Sequence, residues 1–121
     1  MKKNNLVLLP TLNEKTNITF MVSEILTQYQ NVDILIVDGC SSDGTWEEIQ
    51  ELKNDFRFSK RITAIKQESR LGLASAHLIG FIHSIINNYE NLITMDSDRS
   101  HQPKELYKFI SKLNEYDLVV G

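Results

Sequence analysis

The chain has 121 residues, of which 41% are hydrophobic and 24% charged, and its formal net charge is −3. This composition is that of an ordinary soluble protein, so we expect residues 1–121 to form a single domain. No basic block supports nucleic-acid binding, and the longest apolar runs fall short of the ~20 residues of a membrane span. A single cysteine, Cys40, excludes an internal disulfide and fits a reducing compartment. We therefore predict a cytoplasmic protein, which a lipid substrate or a partner could bring to the membrane surface.

Short apolar runs alternate with amphipathic segments along the whole chain. The runs read as buried strands at residues 6–9, 33–38, 62–66, 91–95 and from 117 onwards. Helical spacing predicts helices after Asn17, after Thr45, over residues 73–86 and from Pro103. Pro10 is expected to end the first strand, and the third helix is expected to turn small and apolar residues inward.

This alternation predicts an α/β fold with a mostly parallel sheet and helices on both faces. If the strand order is 3-2-1-4, the direction of winding changes between the first and fourth strands. Ligands of such sheets bind beyond the carboxyl ends of the strands at that point. Those ends carry residues 10–14 and 96–101, which are the two most unusual polar segments of the chain.

The strongest candidate site is the sequence MDSDRSH at residues 95–101. Asp96 and Asp98 lie two positions apart at the end of an apolar strand, so in extended chain their side chains point the same way. Two adjacent carboxylates repel each other unless a cation joins them, and Mg²⁺ commonly binds one or two protein carboxylates together with phosphates. His101 is a further candidate ligand or phosphate donor. The alternative is a solvated loop in which Asp98 or Ser100 caps the next helix.

Two other loops carry polar residues with alternative explanations. Asp38 ends the second strand, where it could accept from a base N–H or a ribose hydroxyl, and we favour that interpretation. For Asp43, which precedes Gly44, helix capping is the better interpretation. Arg70 could approach a phosphate or a base, or simply point into water. For Cys40, packing is the preferred interpretation over nucleophilic chemistry.

Taken together, these segments resemble glycosyltransferase family 2, nearest to its dolichol-phosphate mannosyltransferase-like, polyprenyl-phosphate branch. The resemblance runs through nearly the whole chain. It is carried by PTLNE at 10–14, IVDGCSSDGT at 36–45, RLGL at 70–73, MDSDRSHQP at 95–103 and DLVVG at 117–121.

The resemblance implies a GT-A-type fold and an inverting transfer of sugar from a GDP- or UDP-linked donor. The acceptor it suggests is polyprenyl or dolichyl phosphate, and the cofactor is Mg²⁺ or Mn²⁺. Asp96 and Asp98 are the implied catalytic and metal-binding residues, with His101 as an additional candidate ligand. The predicted nucleotide-binding residues are Pro10, Leu12, Glu14, Val37, Asp38, Arg70, Asp96 and Arg99.

This chain departs from the family pattern in four respects. One is Arg99, which stands at a position that is often apolar or amide-bearing and could assist the diphosphate or simply point to water. Family members usually carry an aromatic residue at the position of Leu12, so stacking on the base is expected to be lost or replaced. They commonly carry a second acidic residue at the position of Gly39, which leaves the choice of nucleotide open. Their catalytic domains are considerably longer, so we expect this chain to be a truncated N-terminal part, whose uncovered sheet edge favours self-association. Two other functions stay open: a non-catalytic, metal-dependent nucleotide-binding module, and a nucleotidyltransferase. The second is disfavoured because residues 11–14 contain neither glycine nor arginine.

Overall fold

The computed structural model describes residues 3–96 and 119–120, and these residues form five strands and three helices. The strands are β1 Lys3–Thr11, β2 Val32–Asp38, β3 Ile62–Lys66, β4 Tyr89–Thr94 and β5 Val119–Val120. The helices are α1 Lys15–Gln28, α2 Thr45–Asn54 and α3 Leu73–Ile86. None of these helices is long and apolar enough to cross a membrane.

The strands form one sheet in the order β3-β2-β1-β4-β5, and every neighbouring pair is parallel. This confirms both the predicted parallel sheet and the strand order on which the predicted site depends. β1 is central and pairs with β2 on one side and β4 on the other. The change in winding direction therefore falls between β1 and β4, at the ends of the strands that carry Pro10 and Asp96.

Alternate side chains of the central strands build two separate cores. Val7 and Leu9 point to the face that α1 and α2 cover, where the larger core lies. Leu6 and Leu8 point to the opposite face and pack in a smaller core with Ala76 of α3. Helices therefore lie on both faces of the sheet, as the alternation of elements predicts.

Helix α3 approaches the sheet through small residues. Its buried positions are Ala76, Gly80 and Ser84, spaced four apart on one side of the helix. A Cβ atom at Gly80 would lie 2.6 Å from Cδ2 of the fully buried Leu8, so only glycine permits this approach. Six large apolar residues of the helix are exposed instead: Leu73, Leu78, Phe81, Ile82, Ile85 and Ile86. Ile79 alone among its large apolar residues is half-buried against the smaller core. The expectation that apolar residues of this helix turn inward is wrong for the six exposed residues.

Several predicted boundaries differ from the structure. Pro10 does not end β1, which continues to Thr11. The Leu8 carbonyl accepts from the Met95 N–H, whereas the Thr11 carbonyl accepts from Gly39 on the other side. Pro10 lies two positions after Leu8, so its backbone faces the same neighbouring strand, β4. Leu8 is the last residue of β1 that pairs with β4, so the N–H that Pro10 lacks would point beyond the paired part of β4. No hydrogen bond to β2 is lost.

Helix α1 and strand β4 also begin earlier than predicted. Helix α1 starts at Lys15 rather than after Asn17, and β4 spans Tyr89–Thr94 rather than 91–95. In both cases the added residues are polar or aromatic and lie outside the apolar pattern that marked the element. The predicted helix from Pro103 lies outside the described residues.

Candidate functional site

A cavity of about 290 Å³ opens at the carboxyl edge of the sheet. Three segments form it: residues 10–12 at the end of β1, residues 37–39 at the end of β2, and residues 67–76, which lead from β3 into the first turn of α3. The lining is mostly apolar and consists of Pro10, Thr11, Leu12, Val37, Gly39, Gln67, Arg70, Gly72, Leu73 and Ala76. Four of the predicted nucleotide-binding residues, Pro10, Leu12, Val37 and Arg70, are therefore brought together at one concave surface.

The loops after β1 and β2 are joined by a dense set of hydrogen bonds. The Asn13 N–H donates to Ser41 Oγ at 2.8 Å, and the Ser42 N–H donates to Asn13 Oδ1 at 2.8 Å. The Glu14 N–H donates to Thr45 Oγ1 at 2.9 Å. Asn13 has a φ of 54°, a left-handed conformation that asparagine tolerates better than most residues. The two loops thus form one rigid wall beside the cavity.

Asp43 caps the first turns of two helices. Its Oδ1 accepts from the backbone N–H and the hydroxyl of Thr45, at the start of α2. Its Oδ2 accepts from the Lys15 N–H, at the start of α1, at 3.3 Å. The hydrogen bond from the Thr45 side chain, assisted by backbone N–H groups, holds the pKa of Asp43 below its ordinary value. The geometry therefore favours the capping interpretation of Asp43, and extends it to a second helix.

Asp38 is fully buried at the end of β2 and is bonded within the protein. Its Oδ1 accepts from Thr11 Oγ1 at 2.8 Å and from Ser41 Oγ at 2.6 Å, while its Oδ2 accepts from the Ser41 N–H at 2.9 Å. Asp38 does not line the cavity. In this structure it joins the loops after β1 and β2, and its contact with a nucleotide stays a prediction.

Two exposed side chains border the cavity: Leu12, which follows β1, and Arg70, which precedes α3. Leu12 is 44% exposed at the position where the resemblance predicts an aromatic residue, so the cavity carries an aliphatic side chain there rather than a ring. A Cβ atom at neighbouring Gly39 would lie 3.3 Å from the Thr11 carbonyl oxygen, so this glycine keeps the two loops close. Gly72, with a φ of 88°, turns the chain from Arg70 into α3.

Glu14 and Asp96 lie outside the cavity lining. Glu14 precedes α1, where its carbonyl accepts from the first-turn N–H groups and its side chain accepts from Asn17 Nδ2 at 3.0 Å. Asp96 is exposed two residues after the end of β4, at the same edge of the sheet. Asp98, Arg99 and His101 lie outside the described residues. Within residues 3–96 no group of three metal-ligating side chains occurs, so the metal site stays a prediction.

Sequence reasoning missed the polar residues that hold the loops together and one that lines the cavity. Thr11, Ser41 and Thr45 bond the carboxylates of Asp38 and Asp43, and Gln67 lies buried in the cavity wall. Gln67 directly follows β3 at the carboxyl edge of the sheet. That placement, at the end of a predicted strand, was the available signal for it.

Comparison with known proteins agrees with this architecture. Polyprenol monophosphomannose synthase of Mycolicibacterium smegmatis is 33% identical over 120 residues, which cover 98% of this chain and 44% of that protein. Undecaprenyl-phosphate mannosyltransferase of Micrococcus luteus is 28% identical over 118 residues, covering 96% of this chain and 46% of that protein. This chain thus spans less than half the length of these two relatives.

Solved structures share the fold at lower sequence identity. Mannosyltransferase PcManGT from Pyrobaculum calidifontis, in complex with GDP-Man and Mn²⁺, superimposes with a TM-score of 0.76 at 21% identity, covering 93% of this chain and 33% of that one. A TarS fragment from S. aureus in complex with UDP gives a TM-score of 0.68 at 20% identity, covering 94% and 33%. The sheet and its helices are therefore those of GT-A glycosyltransferases. Residues 6–121 match the sequence model of glycosyl transferase family 2, and the chain belongs to that family.

Proposed function

We propose that this chain is the donor-binding part of an inverting glycosyltransferase. The donor is a nucleoside diphosphate-sugar, with GDP-mannose as the first candidate, and the acceptor is a polyprenyl phosphate. The names of the relatives, which are polyprenol- and undecaprenyl-phosphate mannosyl enzymes, support this choice of sugar and acceptor. The GDP-Man and Mn²⁺ in the complex of the Pyrobaculum enzyme support the choice of nucleotide and cofactor class.

The observation that carries the proposal is the cavity at the carboxyl edge of the sheet. Its apolar wall, which includes Leu12, Val37 and Ala76, suits the flat face of a nucleobase. The exposed guanidinium of Arg70 offers charged hydrogen bonds to phosphate. A diphosphate that leads from this cavity towards β4 would approach Asp96, since β4 is the strand next to β1.

Asp96 and Asp98 are proposed to hold the divalent ion, Mg²⁺ or Mn²⁺. Asp96 meets the requirements for such a ligand, since it is an exposed carboxylate at the edge where the cavity opens. When bound, the ion neutralises the negative charge that develops on the departing diphosphate. Arg70 stabilises the same charge from the other side of the nucleotide.

The proposed transfer is a single displacement at the anomeric carbon, and it inverts that centre. A sugar hydroxyl acceptor would require a general base. A polyprenyl phosphate is already anionic and requires none, so the chemistry needs only orientation and charge neutralisation by the enzyme. Because this acceptor resides in a bilayer, the proposed site of action is the cytoplasmic membrane surface.

Calorimetric titration tests the proposed donor site. GDP-mannose and UDP-GlcNAc are titrated into the chain with Mn²⁺, with Mg²⁺ and with chelator. We expect GDP-mannose to bind only with metal, and Asp96→Asn to lose the metal-dependent part of the affinity. Asp55→Asn is the matched control, because Asp55 follows the end of α2, away from the cavity, and pairs with exposed Arg57.

Transfer activity separates the proposal from the alternative of a non-catalytic binding module. Labelled GDP-mannose and undecaprenyl phosphate in detergent are incubated with the chain and Mn²⁺. Formation of a labelled lipid that Asp96→Asn abolishes supports the transferase. Metal-dependent binding without any transfer favours the binding module, and the absence of nucleotide binding by a folded chain overturns both.

A further inference from the structure

Gln67 is a buried polar residue in the wall of the cavity, and it is held from two directions. It is 6% exposed and directly follows β3. Its backbone N–H donates to the Asp38 carbonyl oxygen at 2.9 Å. Its side-chain Nε2 donates to Ser75 Oγ, in the first turn of α3, at 2.8 Å. The amide is therefore fixed in position before any ligand arrives.

The Gln67 amide retains hydrogen-bonding capacity. A glutamine side chain offers two N–H donors and one carbonyl acceptor, and Ser75 uses one donor. Within the described residues no hydrogen bond reaches Oε1. Every side-chain polar atom that is buried in that part of the chain has a hydrogen-bond partner, so Oε1 itself is not fully buried. Oε1 is therefore accessible, and the space next to Gln67 is the cavity that it lines.

The other polar side chains of the cavity wall do not offer the same contact. The Thr11 hydroxyl donates to buried Asp38, and Arg70 is exposed. Asp38, which sequence reasoning favoured as the acceptor for a base N–H, is bonded to Thr11 and Ser41 instead. Among the described lining residues, Gln67 is the buried side chain with both an acceptor and a donor to spare.

We propose that Gln67 is the residue that recognises the nucleobase of the donor, which the proposed function takes to be guanine. This inference rests on the proposed function, because it assigns the cavity to the base of the nucleotide-sugar. Oε1 accepts from N1–H of guanine, and the second Nε2 hydrogen donates to O6. Ser75 is a positioning residue, since it holds the amide through Nε2 without touching the base.

The test compares GDP with its N1-methyl derivative, in which the N1 hydrogen is replaced. Both are titrated with Mg²⁺ into the wild type, Gln67→Met and Gln67→Glu. A bidentate base contact is worth a factor of roughly 10 to 100 in affinity. We expect methylation to weaken binding to the wild type by such a factor, and to have little effect on Gln67→Met, which has lost the acceptor. Gln67→Glu keeps an acceptor, so methylation is expected to weaken its binding as well.

The comparison distinguishes base recognition from a structural contribution. If Gln67 only supports the cavity, Gln67→Met weakens GDP and N1-methyl-GDP by the same factor, and the proposal is overturned while the proposed function stands. Gln28→Met is the control, because Gln28 is the exposed last residue of α1 and its side-chain amide donates to Glu24, away from the cavity. If Gln67→Met does not fold, the Gln67→Glu comparison decides: an unchanged affinity after N1 methylation contradicts the proposal. If the wild type binds neither nucleotide, the proposed function fails with it.

Discussion

Replacing Asp38 by alanine is expected to destabilise the protein even when no nucleotide is present. The carboxylate is fully buried and accepts three hydrogen bonds, one from Thr11 and two from Ser41. Hydrogen bonds to charged groups contribute about 1.5–3 kcal/mol each. Ser41 is half-buried, so water can replace part of its loss, whereas the Thr11 hydroxyl is buried and would be left without an acceptor.

Three such bonds would sum to about 4.5–9 kcal/mol. Water replaces part of the Ser41 contacts, and removing the buried carboxylate also removes part of its desolvation cost, so we expect a net loss of roughly 3 kcal/mol. For a chain of this length, such a loss lowers the midpoint of thermal unfolding by roughly 10–15 °C. Urea and thermal unfolding followed by circular dichroism measure both quantities. Asp55→Ala is the control, since half-buried Asp55 pairs with exposed Arg57 and such an ion pair contributes little to stability. If Asp38→Ala is as stable as the wild type without nucleotide, the scaffold function assigned to Asp38 is wrong.

Three further substitutions test the packing and capping that position the site. Asp43→Ala should cost about 1–2 kcal/mol at neutral pH. Since the folded-state pKa of Asp43 is lowered, this difference in unfolding free energy is present above the ordinary pKa of 3.8 and should disappear as the pH falls through the folded-state pKa. A difference that persists in acid would contradict the capping assignment. Gly80→Ala gains about 0.5–1 kcal/mol of helix propensity but loses about 1–3 kcal/mol by overpacking against Leu8, so calorimetry should show net destabilisation rather than a gain. Arg61→Met should lower the free energy of unfolding by about 2–3 kcal/mol in a urea titration, because three backbone carbonyls lose a charged donor, and an unchanged value would contradict that contribution.

The sequence predicted the architecture well because hydrophobic periodicity and fold topology are linked. Continuous apolar runs such as residues 34–37 can be buried only in a sheet covered on both faces. The order of these runs and of the intervening helices then leaves few topologies. The segments after β1 and β4 were correctly expected at one edge of the sheet, because parallel strands all end at the same side.

Local details escaped prediction where tertiary contacts override the apolar pattern. The apolar pattern around Pro10 ends the predicted strand there. It could not show that the N–H missing from Pro10 would face β4 at a point where the pairing of β1 with β4 has already ended. Helix α3 is apolar on most sides, so its composition does not show which side faces the sheet. The small residues Ala76, Gly80 and Ser84 face it, whereas Phe81 and Ile85 are exposed. Likewise, no periodicity reveals that Asp38 bonds Thr11 across 27 positions of sequence.

The central claim, that a nucleotide binds at the carboxyl edge of the sheet, is tested most directly by amide chemical-shift mapping. GDP with Mg²⁺ is titrated into the ¹⁵N-labelled chain. We expect the amide signals of Leu12, Gly39 and Gln67 to shift, while those of Asn31 and Glu90, near the starts of β2 and β4 at the opposite edge, remain unchanged. Shifts concentrated at that opposite edge, or none at all in a folded chain, would contradict the account.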